Sequence, residues 1–268
     1  MRIHDTALVD PKAELAGDVE VGAFTVIGEG VRIGAGSVIG NRVTIMGNAR
    51  LGERNRVWDG AVIGSPPQDY SHASEPTGVV LGDGNTIREY VTINAGTMKG
   101  GAVTIVGNSN YLMACSHVGH DCCLEDNITL ANGVLLGGHV KVARGCFLSG
   151  CAAVHHYARI GRLAFVGGNT GVAQDVPPFM MVDGHRAFPR RVNVVGLKRD
   201  GLPQERIDAV VAAFRRLYRS RSSRYGVLMQ LLARDDLTPE VRELVEFLRE
   251  TSLHNKGRYL ETTRANAE

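Results

Sequence analysis

Several kinds of residue and segment are scarce in this chain of 268 residues. Aromatic residues make up 6% of it, and the five cysteines form an odd number without the spacing of a disulfide framework, so we expect reduced thiols. No apolar run reaches the ~18 residues of a transmembrane helix, and the N-terminus lacks the apolar stretch of a signal peptide. These absences predict a soluble, cytoplasmic protein without a transmembrane segment.

An excess of charge of one sign is also lacking, because the formal net charge is only +2. The composition therefore gives no reason to expect a nucleic-acid partner. Glycine, by contrast, is abundant with 33 residues, and 44% of the chain is hydrophobic. This combination indicates a core of aliphatic side chains enclosed by tight turns.

Aliphatic residues recur every six positions along the first part of the chain. The ladder runs through Ile3, Val9, Leu15, Val21, Ile27, Ile33, Ile39, Ile45, Leu51, Val57 and Ile63, resumes at Leu81, Ile87 and Ile93, and continues, shifted by one position, through Val106, Leu112, Val118, Leu124, Leu130, Leu136, Val142, Leu148, Val154, Ile160, Val166 and Val172. A period of six fits neither a helix nor an ordinary strand and is typical of a β-solenoid. The glycines of "GEGVRIGAG" then occupy turns rather than a phosphate-binding loop, since no helix follows them.

The ladder is interrupted near 65–78 and 98–104, and we expect both segments to be loops, since solenoids accept insertions on one face. From about Asn193 the apolar pattern becomes helical, with stripes over 207–217 and 241–248 and a third helix between them. We therefore expect a β-solenoid in residues 1–192 and an α-helical C-terminal domain in residues 193–268.

The segment "ACSHVGHDCC", from Ala114 to Cys123, concentrates histidine, aspartate and cysteine. Metal binding, acid–base catalysis, and histidines that are merely solvated are three interpretations of it. In the six-residue register Cys122 faces the core, whereas His120 and Asp121 belong to a turn outside it. Because the thiols do not share a face with His120, a zinc site is disfavoured, and we expect no metal or other cofactor. An imidazole beside a carboxylate favours acid–base catalysis.

Further motifs resemble those of one enzyme family. They are "QD" at Gln68–Asp69, "EPT" at Glu75–Thr77, "IREYVTINAGT", "HVGHD", "GGHV", "AVHHY", "TGVAQDVPPF" and "GLKRDG". In this order they extend over nearly the whole chain, and they are far more specific than the ladder, which many transferases share. The sequence is similar to the acyl-(acyl-carrier-protein)–UDP-N-acetylglucosamine O-acyltransferases, which begin lipid A synthesis.

The resemblance implies a left-handed parallel β-helix with three hexapeptides per coil and a homotrimer with active sites between subunits. It also implies acyl-carrier protein as the acyl donor and UDP-N-acetylglucosamine as the acceptor. Residues eighteen apart would then stack, so that His120, Gly138 and His156 share one column. Asp121 and His139 share the next.

The resemblance also implies roles for residues. His120 would act as general base on the sugar 3-hydroxyl, Asp121 would orient its imidazole, and the backbone N–H of Gly138 would stabilise the oxyanion. Substrate contacts would come from Asp69, His117, His139, His155, His156, Asn193 and Arg199. The acyl groove would be gauged by Gly168, with Arg186 near its far end. A glycine there leaves room for a longer chain such as a 3-hydroxyacyl group, unless it is simply a turn glycine.

Some positions depart from the family pattern. Lysine is expected at Ser71, histidine at Asn94 and Arg186, glutamine at His156, and a second arginine at Asp200. They leave the acceptor open between UDP-N-acetylglucosamine and an analogue with an amine at C3. Basic residues nearby are expected to attract the acidic carrier protein: Arg159, Arg162, Arg186, Arg190, Arg191 and Lys198.

Three other functions compete with this one. The N-acyltransferase that acylates the glucosamine 2-amine carries an extra N-terminal domain, whereas the hexapeptides here begin at Ile3. A zinc enzyme of the gamma carbonic anhydrase type shares the hexapeptide trimer and uses histidine ligands. The last alternative is a module that binds carrier protein without catalysis.

Overall fold

Two-residue strands at six-residue intervals dominate the first two thirds of the chain. The computed structural model describes residues 1–73 and 75–264. The strands are β1 (Arg2–Ile3), β2 (Leu8–Val9), β3 (Glu14–Leu15), β4 (Glu20–Val21), β5 (Val26–Ile27), β6 (Arg32–Ile33), β7 (Val38–Ile39), β8 (Thr44–Ile45), β9 (Arg50–Leu51), β10 (Arg56–Val57), β11 (Val62–Ser65), β12 (Gly78–Leu81), β13 (Thr86–Ile87), β14 (Thr92–Asn94), β15 (Val103–Val106), β16 (Tyr111–Leu112), β17 (His117–Val118), β18 (Cys123–Leu124), β19 (Thr129–Leu130), β20 (Leu135–Leu136), β21 (Lys141–Val142), β22 (Phe147–Leu148), β23 (Ala153–Val154), β24 (Arg159–Ile160), β25 (Phe165–Val166), β26 (Gly171–Val172), β27 (Met180–Asp183) and β28 (Phe188–Val192).

Up to β26, every third strand pairs side by side in a parallel sheet, which makes three sheets around one core. The first sheet has the order β1-β4-β7-β10-β13-β16-β19-β22-β25-β27-β28, the second β2-β5-β8-β11-β14-β17-β20-β23-β26, and the third β24-β21-β18-β15-β12-β9-β6-β3. His117 pairs with Leu135 and Leu135 with Ala153, an offset of three hexapeptides. The predicted parallel solenoid is confirmed, and each coil holds three hexapeptides.

The second residue of each two-residue strand, which is the ladder residue, faces the interior. From Val21 onward the ladder positions are buried, as are the small residues two positions before them, such as Cys122 and Ala152. The interior is thus a stack of aliphatic layers, each of which transfers apolar surface out of water. Packing of this kind fixes which turn residues point outward.

Both interruptions of the ladder leave the solenoid at the same corner, where the chain passes from the second sheet to the third. We call this the site corner; it includes the loops 66–77 and 95–102 and the turn at His120–Asp121. A 3₁₀ helix over Met98–Gly100 lies within the second loop. Val103 and Thr104, predicted to lie in that interruption, belong to β15. The loops and the catalytic candidates therefore occupy one edge of the molecule.

Helices follow the solenoid: α1 (Val194–Arg199), α2 (Gln204–Tyr218), α3 (Arg224–Leu232), α4 (Pro239–Ser252) and α5 (Glu261–Arg264). The stripes predicted over 207–217 and 241–248 lie in α2 and α4 and are buried at Ile207, Leu217 and Leu244. An antiparallel hairpin, β27–β28, joins the solenoid to α1. No helix among residues 1–73 and 75–264 is long and apolar enough to cross a membrane. Residues 265–268, the end of the predicted C-terminal domain, lie outside the described residues.

Candidate active site

His120 and Asp121 form a hydrogen-bonded pair in a turn between β17 and β18. Nδ1 of His120 donates to Oδ2 of Asp121 at 2.7 Å. The side chain of Asp121 is 1% exposed, whereas that of His120 is 16% exposed and so reaches the surface. Because an ionised carboxylate only accepts, it fixes the proton on Nδ1 and leaves Nε2 as the basic nitrogen. The pair has the arrangement of an oriented general base.

The loop 95–102 closes over the Asp121 carboxylate. Thr97 donates its backbone N–H to Oδ1 at 2.7 Å and its hydroxyl to Oδ2 at 2.8 Å. Burial alone would raise the pKa of Asp121, but the bonds from His120 and Thr97, with the nearby His139, hold this pKa below its ordinary value. Thr97 was not singled out from the sequence, although it is the last residue of the motif "IREYVTINAGT" and directly precedes the predicted interruption 98–104.

Gly138 lies directly against the ring of His120. A Cβ at this glycine would stand 2.5 Å from Nε2 and 2.4 Å from Cε1 of His120. Gly138 is buried, yet its N–H has no hydrogen-bond acceptor among the described residues. At another corner the corresponding N–H of Asn108 is satisfied by Asp126 of the next coil. A buried donor without an acceptor beside a basic nitrogen is suited to an oxyanion.

His139 stacks above Asp121, as the spacing of eighteen predicts. Its Nε2 is 3.5 Å from Oδ2 of Asp121, and its ring meets that of His120 edge to face at 5.1 Å. On its other side, Tyr157 stacks parallel to it at 4.3 Å. The site corner thus carries a continuous column of rings along successive coils.

Two further predicted substrate residues lie near the pair. His117 shares a 2.7 Å hydrogen bond with the Thr92 hydroxyl, and burial, reinforced by the charge of His120, lowers the pKa of His117. In the loop 66–77, the N–H of Ser71 donates to Asp69 at 2.8 Å. This bond holds the pKa of Asp69 below its usual range, and the charges of His120 and Lys99 add to the effect. Both loops therefore contribute groups to the same corner.

His155 and His156 lie at the same corner, two coils beyond His120. His155 donates Nδ1–H to the carbonyl of His156 at 2.9 Å, and their rings are 3.8 Å apart. Among the residues that the structure describes, two groups have ligand atoms close enough for a metal ion: His155 and His156 with Glu261 of α5, and His120 with Asp121 and His139. Glu261, however, is ion-paired with Arg258, and Asp121 already receives the bonds of His120 and Thr97. Both groups therefore have their carboxylates committed to protein donors.

Other predicted residues lie on another face of the chain. Asn193 caps α1 by accepting from the N–H of Gly196 at 3.0 Å, and with Arg199 it lines a cleft of about 850 Å³ against the first sheet. Gly168 lies at the corner between the first and second sheets, and Arg186 is exposed in the β27–β28 hairpin. One chain therefore brings together Asp69, His117, His120, Asp121, Gly138, His139, His155 and His156, and does not add the other four.

The departures from the family pattern have local structural partners. Asn94 is buried at the end of β14 and donates to the Ser65 hydroxyl at 2.7 Å and the Pro66 carbonyl at 3.3 Å, which fastens the root of the loop 66–77. Asp200 accepts two bonds from Arg144, at 2.8 and 3.0 Å. It therefore joins α1 to the solenoid.

The expected basic surface is smaller than the sequence predicts. Arg159 pairs with Asp175 at 2.9 Å and with Glu250 at 2.6 Å. Arg162 pairs with Glu243 at 2.9 Å. Neither guanidinium is available to attract a carrier protein, because both hold the helices against the solenoid; for these two residues the prediction is wrong.

The cysteines behave as the register predicts. Cys122 and Cys146 are buried in the core, and burial raises the pKa of each thiol to about 12. Cys115 and Cys151 are exposed in turns, and all five thiols are free. Thiols with raised pKa values are poor metal ligands, which agrees with core filling.

Comparisons with known proteins identify the family. A family model described as UDP-N-acetylglucosamine O-acyltransferase, domain 2, matches residues 175–257, and one described as bacterial transferase hexapeptide (six repeats) matches residues 30–65. A relative from Herminiimonas arsenicoxydans, named acyl-(acyl-carrier-protein)–UDP-N-acetylglucosamine O-acyltransferase, is 48% identical over 93% of this chain and 97% of its own. One of the same name from Alkalilimnicola ehrlichii is also 48% identical, over 92% and 96%.

Solved structures agree. The UDP-N-acetylglucosamine acyltransferase of Francisella novicida is 36% identical and superposes with a TM-score of 0.87 over 92% of this chain and 91% of its own. That of Campylobacter jejuni is 32% identical, with a TM-score of 0.88 over 93% and 96%. The chain therefore belongs to the acyl-(acyl-carrier-protein)–UDP-N-acetylglucosamine O-acyltransferases.

Proposed function

We propose that this enzyme transfers a 3-hydroxyacyl group from the thioester of acyl-carrier protein to the 3-hydroxyl of UDP-N-acetylglucosamine, the first step of lipid A synthesis, in the cytoplasm. The observation that supports this mechanism is that His120 and Gly138 lie next to each other at the site corner. The basic Nε2 edge of His120 lies against Gly138, whose N–H has no acceptor among the described residues.

In the reaction, Nε2 of His120 takes the proton of the sugar 3-hydroxyl as its oxygen attacks the thioester carbonyl. Asp121 keeps the ring in the required tautomer and stabilises the imidazolium that forms. The N–H of Gly138 donates to the oxyanion of the tetrahedral intermediate. The carbon–sulfur bond then breaks, and the thiol of the carrier leaves with the proton held by His120.

The proposed substrate contacts are assigned by where each residue lies relative to His120. Asp69, His117, His139, His155 and His156 surround the reacting centre and bind the sugar nucleotide. Asn193 and Arg199 lie on the first sheet, away from this corner, so we propose that they reach the sugar nucleotide of a neighbouring subunit in a homotrimer. Gly168 and Arg186 line the acyl groove in the same way, across the interface. For each subunit we propose a left-handed solenoid domain in 1–192, which ends with the antiparallel hairpin β27–β28, and a helical domain in 193–268.

The test is direct assay of the product. The purified chain is incubated with UDP-N-acetylglucosamine, or its 3-amino analogue, and a panel of acyl-carrier-protein thioesters of different length, and the product is identified by mass spectrometry. An ester at O3 of the first acceptor supports the proposal, whereas product only from the 3-amino analogue shows that the acceptor is the variant sugar. Stoichiometric zinc, cobalt or iron in the purified protein would favour the alternative function, a metal enzyme of the gamma carbonic anhydrase type.

Oligomeric state is tested separately. Light scattering on the purified protein is expected to give three times the mass of one chain, 28.8 kDa. If Arg199 acts across an interface, mixing an inactive His120→Ala chain with an inactive Arg199→Ala chain restores activity in mixed trimers. A monomer of full activity would contradict this assembly.

A further inference from the structure

The loop 95–102 makes more contacts with Asp121 than orientation of a neighbouring histidine requires. Thr97 alone gives the carboxylate two bonds, one from its N–H to Oδ1 and one from its hydroxyl to Oδ2. Oδ2 also accepts from Nδ1 of His120. The Thr97 hydroxyl and the catalytic imidazole thus share one acceptor atom.

Two other residues hold Asp121 from different sides, Thr104 of β15 and Gly100 of the loop 95–102. The backbone N–H of Asp121 donates to the hydroxyl of Thr104 at 2.8 Å. Gly100 passes so close that a Cβ there would stand 2.1 Å from both Cγ and Oδ1 of Asp121. Since Cβ atoms do not approach other atoms so closely, only glycine fits at position 100 while Asp121 keeps its place.

The shielding by this loop explains the burial of the carboxylate. Asp121 lies in a surface turn with a left-handed backbone, φ 61°, the conformation that His139 and Tyr157 repeat in the next coils. Its side chain is nevertheless 1% exposed, and Thr97 above it is buried. A charge removed from water is stabilised by the few donors aimed at it, so each donor has a large effect on where the charge is placed.

We infer that Thr97 is a positioning residue for the reaction. It holds the Asp121 carboxylate in the orientation that presents Oδ2 to His120. Gly100, which has no side chain, leaves room for the carboxylate in that orientation. Thr97 is buried and bonded to Asp121, so it acts through Asp121. This inference rests on the proposed roles of His120 and Asp121.

The central test compares two substitutions of one side chain. Thr97→Val keeps the shape and the N–H but removes the hydroxyl, whereas Thr97→Ser keeps the hydroxyl. Because hydrogen bonds to buried charges are among the stronger ones, Thr97→Val is expected to lower kcat by about 10-fold with KM unchanged. With one donor fewer, Oδ2 attracts the proton of the imidazolium more strongly, so the acid limb of the pH profile of kcat/KM moves to higher pH. Thr97→Ser restores both values.

A spectroscopic readout makes the test independent of turnover. The proton shared by His120 Nδ1 and Asp121 is sought in the low-field region of the proton NMR spectrum and assigned by its absence in His120→Gln. Thr97→Val is expected to shift this resonance, and Thr97→Ser to return it. If the wild-type chain does not acylate UDP-N-acetylglucosamine, the proposed function fails, while the resonance still decides the role of Thr97.

Control variants separate positioning from folding. Met98→Ala changes the same loop at a side chain that is 58% exposed and is expected to leave kcat unchanged. Gly100→Ala is expected to reduce kcat more than Thr97→Val does. The two variants are compared only if both are soluble and unfold cooperatively. A Thr97→Val enzyme with wild-type kcat, pH profile and resonance would overturn the inference, as would an equal loss in Thr97→Ser.

Discussion

At the scale of single residues, the spacing of eighteen accounts for the centre of the site. His120, Gly138 and His156, and beside them Asp121 and His139, occupy adjacent positions because each coil returns the chain to the same corner. Their neighbourhood was therefore predictable from sequence once the number of hexapeptides per coil was taken from the family. Thr97 and Gly100 were not, because they reach Asp121 through a loop that departs from the repeat and whose path no periodicity describes.

Replacement of His120 by Ala removes the proposed general base and is expected to lower kcat by about 10²–10⁴-fold, the usual contribution of acid–base catalysis. Rates with saturating acyl-carrier-protein thioester and UDP-N-acetylglucosamine measure this. His4→Ala, an exposed histidine at the far end of the solenoid, serves as control and retains full activity. A His120→Ala enzyme within a few fold of wild type would contradict the mechanism.

His117 predicts a dependence of stability on pH. Its pKa is lowered by burial, so between the ordinary histidine value of about 6.5 and its own lower value the unfolded chain binds a proton that the folded chain does not. The free energy of unfolding therefore falls as the pH is lowered through this window. In His117→Gln this contribution is absent, and urea titrations at pH 7, 6 and 5 are expected to show a shallower decline.

The exposed His4 provides the matched control, since His4→Gln is expected to leave the decline as it is in the wild type. An equally steep decline in His117→Gln would show that other groups govern it. The lowered pKa of Asp121 acts in the same direction but at lower pH, because its stabilisation is present above the ordinary aspartate value and is lost as the pH falls below that value.

At the scale of elements, each two-residue strand divides its side chains between interior and surface. In β20, Leu136 is 0% exposed and the preceding Leu135 is 49% exposed. Leu136→Ala is expected to reduce the free energy of unfolding by about 2–5 kcal/mol, the range for a cavity in a packed core. Leu135→Ala changes it by less than ~1 kcal/mol. Chemical denaturation of the two variants measures the difference.

Similar losses from the two leucines would contradict the assigned register. The comparison is well matched because the same residue type is truncated in the same strand. The ladder predicted which of the two is interior, since the aliphatic period of six has only one phase that gives a continuous core.

Some elements were not predicted, for identifiable reasons. Helix α1 has six residues, fewer than two turns, so it is too short to show a helical repeat of apolar residues. The β27–β28 hairpin contains Pro189 and several arginines, and its register shifts between Met181 and Val182, so neither strand shows plain alternation. The long helices α2 and α4 were predicted, because each repeats its apolar positions over about two turns or more.

At the scale of the whole molecule, ion pairs join the helices to the solenoid. Asp200 of the α1 C-terminus accepts from Arg144 and lies 3.5 Å from Arg162, and its side chain is only 16% exposed. Asp200→Asn is expected to reduce the free energy of unfolding by about 1–2 kcal/mol, a value lowered for the partial exposure of Arg144. Thermal unfolding followed by circular dichroism measures this.

The corresponding control is Asp236→Asn, which breaks an exposed pair with Arg234 and is expected to leave thermal unfolding nearly unchanged, because solvent screens exposed ion pairs. Equal effects from the two substitutions would show that Asp200 does not join α1 to the solenoid. The sequence marked position 200 only as a departure from the family pattern; its partners lie 56 and 38 residues away along the chain.

Both long excursions from the solenoid, the loops 66–77 and 95–102, leave it at a single corner, and this placement limits what a change in either loop can disturb. Each leaves the stack after a second-sheet strand and re-enters at the next third-sheet strand, so the coils above and below keep their pairing. The length or sequence of either excursion can therefore change without a change in the strand pairing of the coils above and below it. Asp69, which we propose binds the acceptor, and Thr97, which we infer positions Asp121, therefore lie on separate excursions.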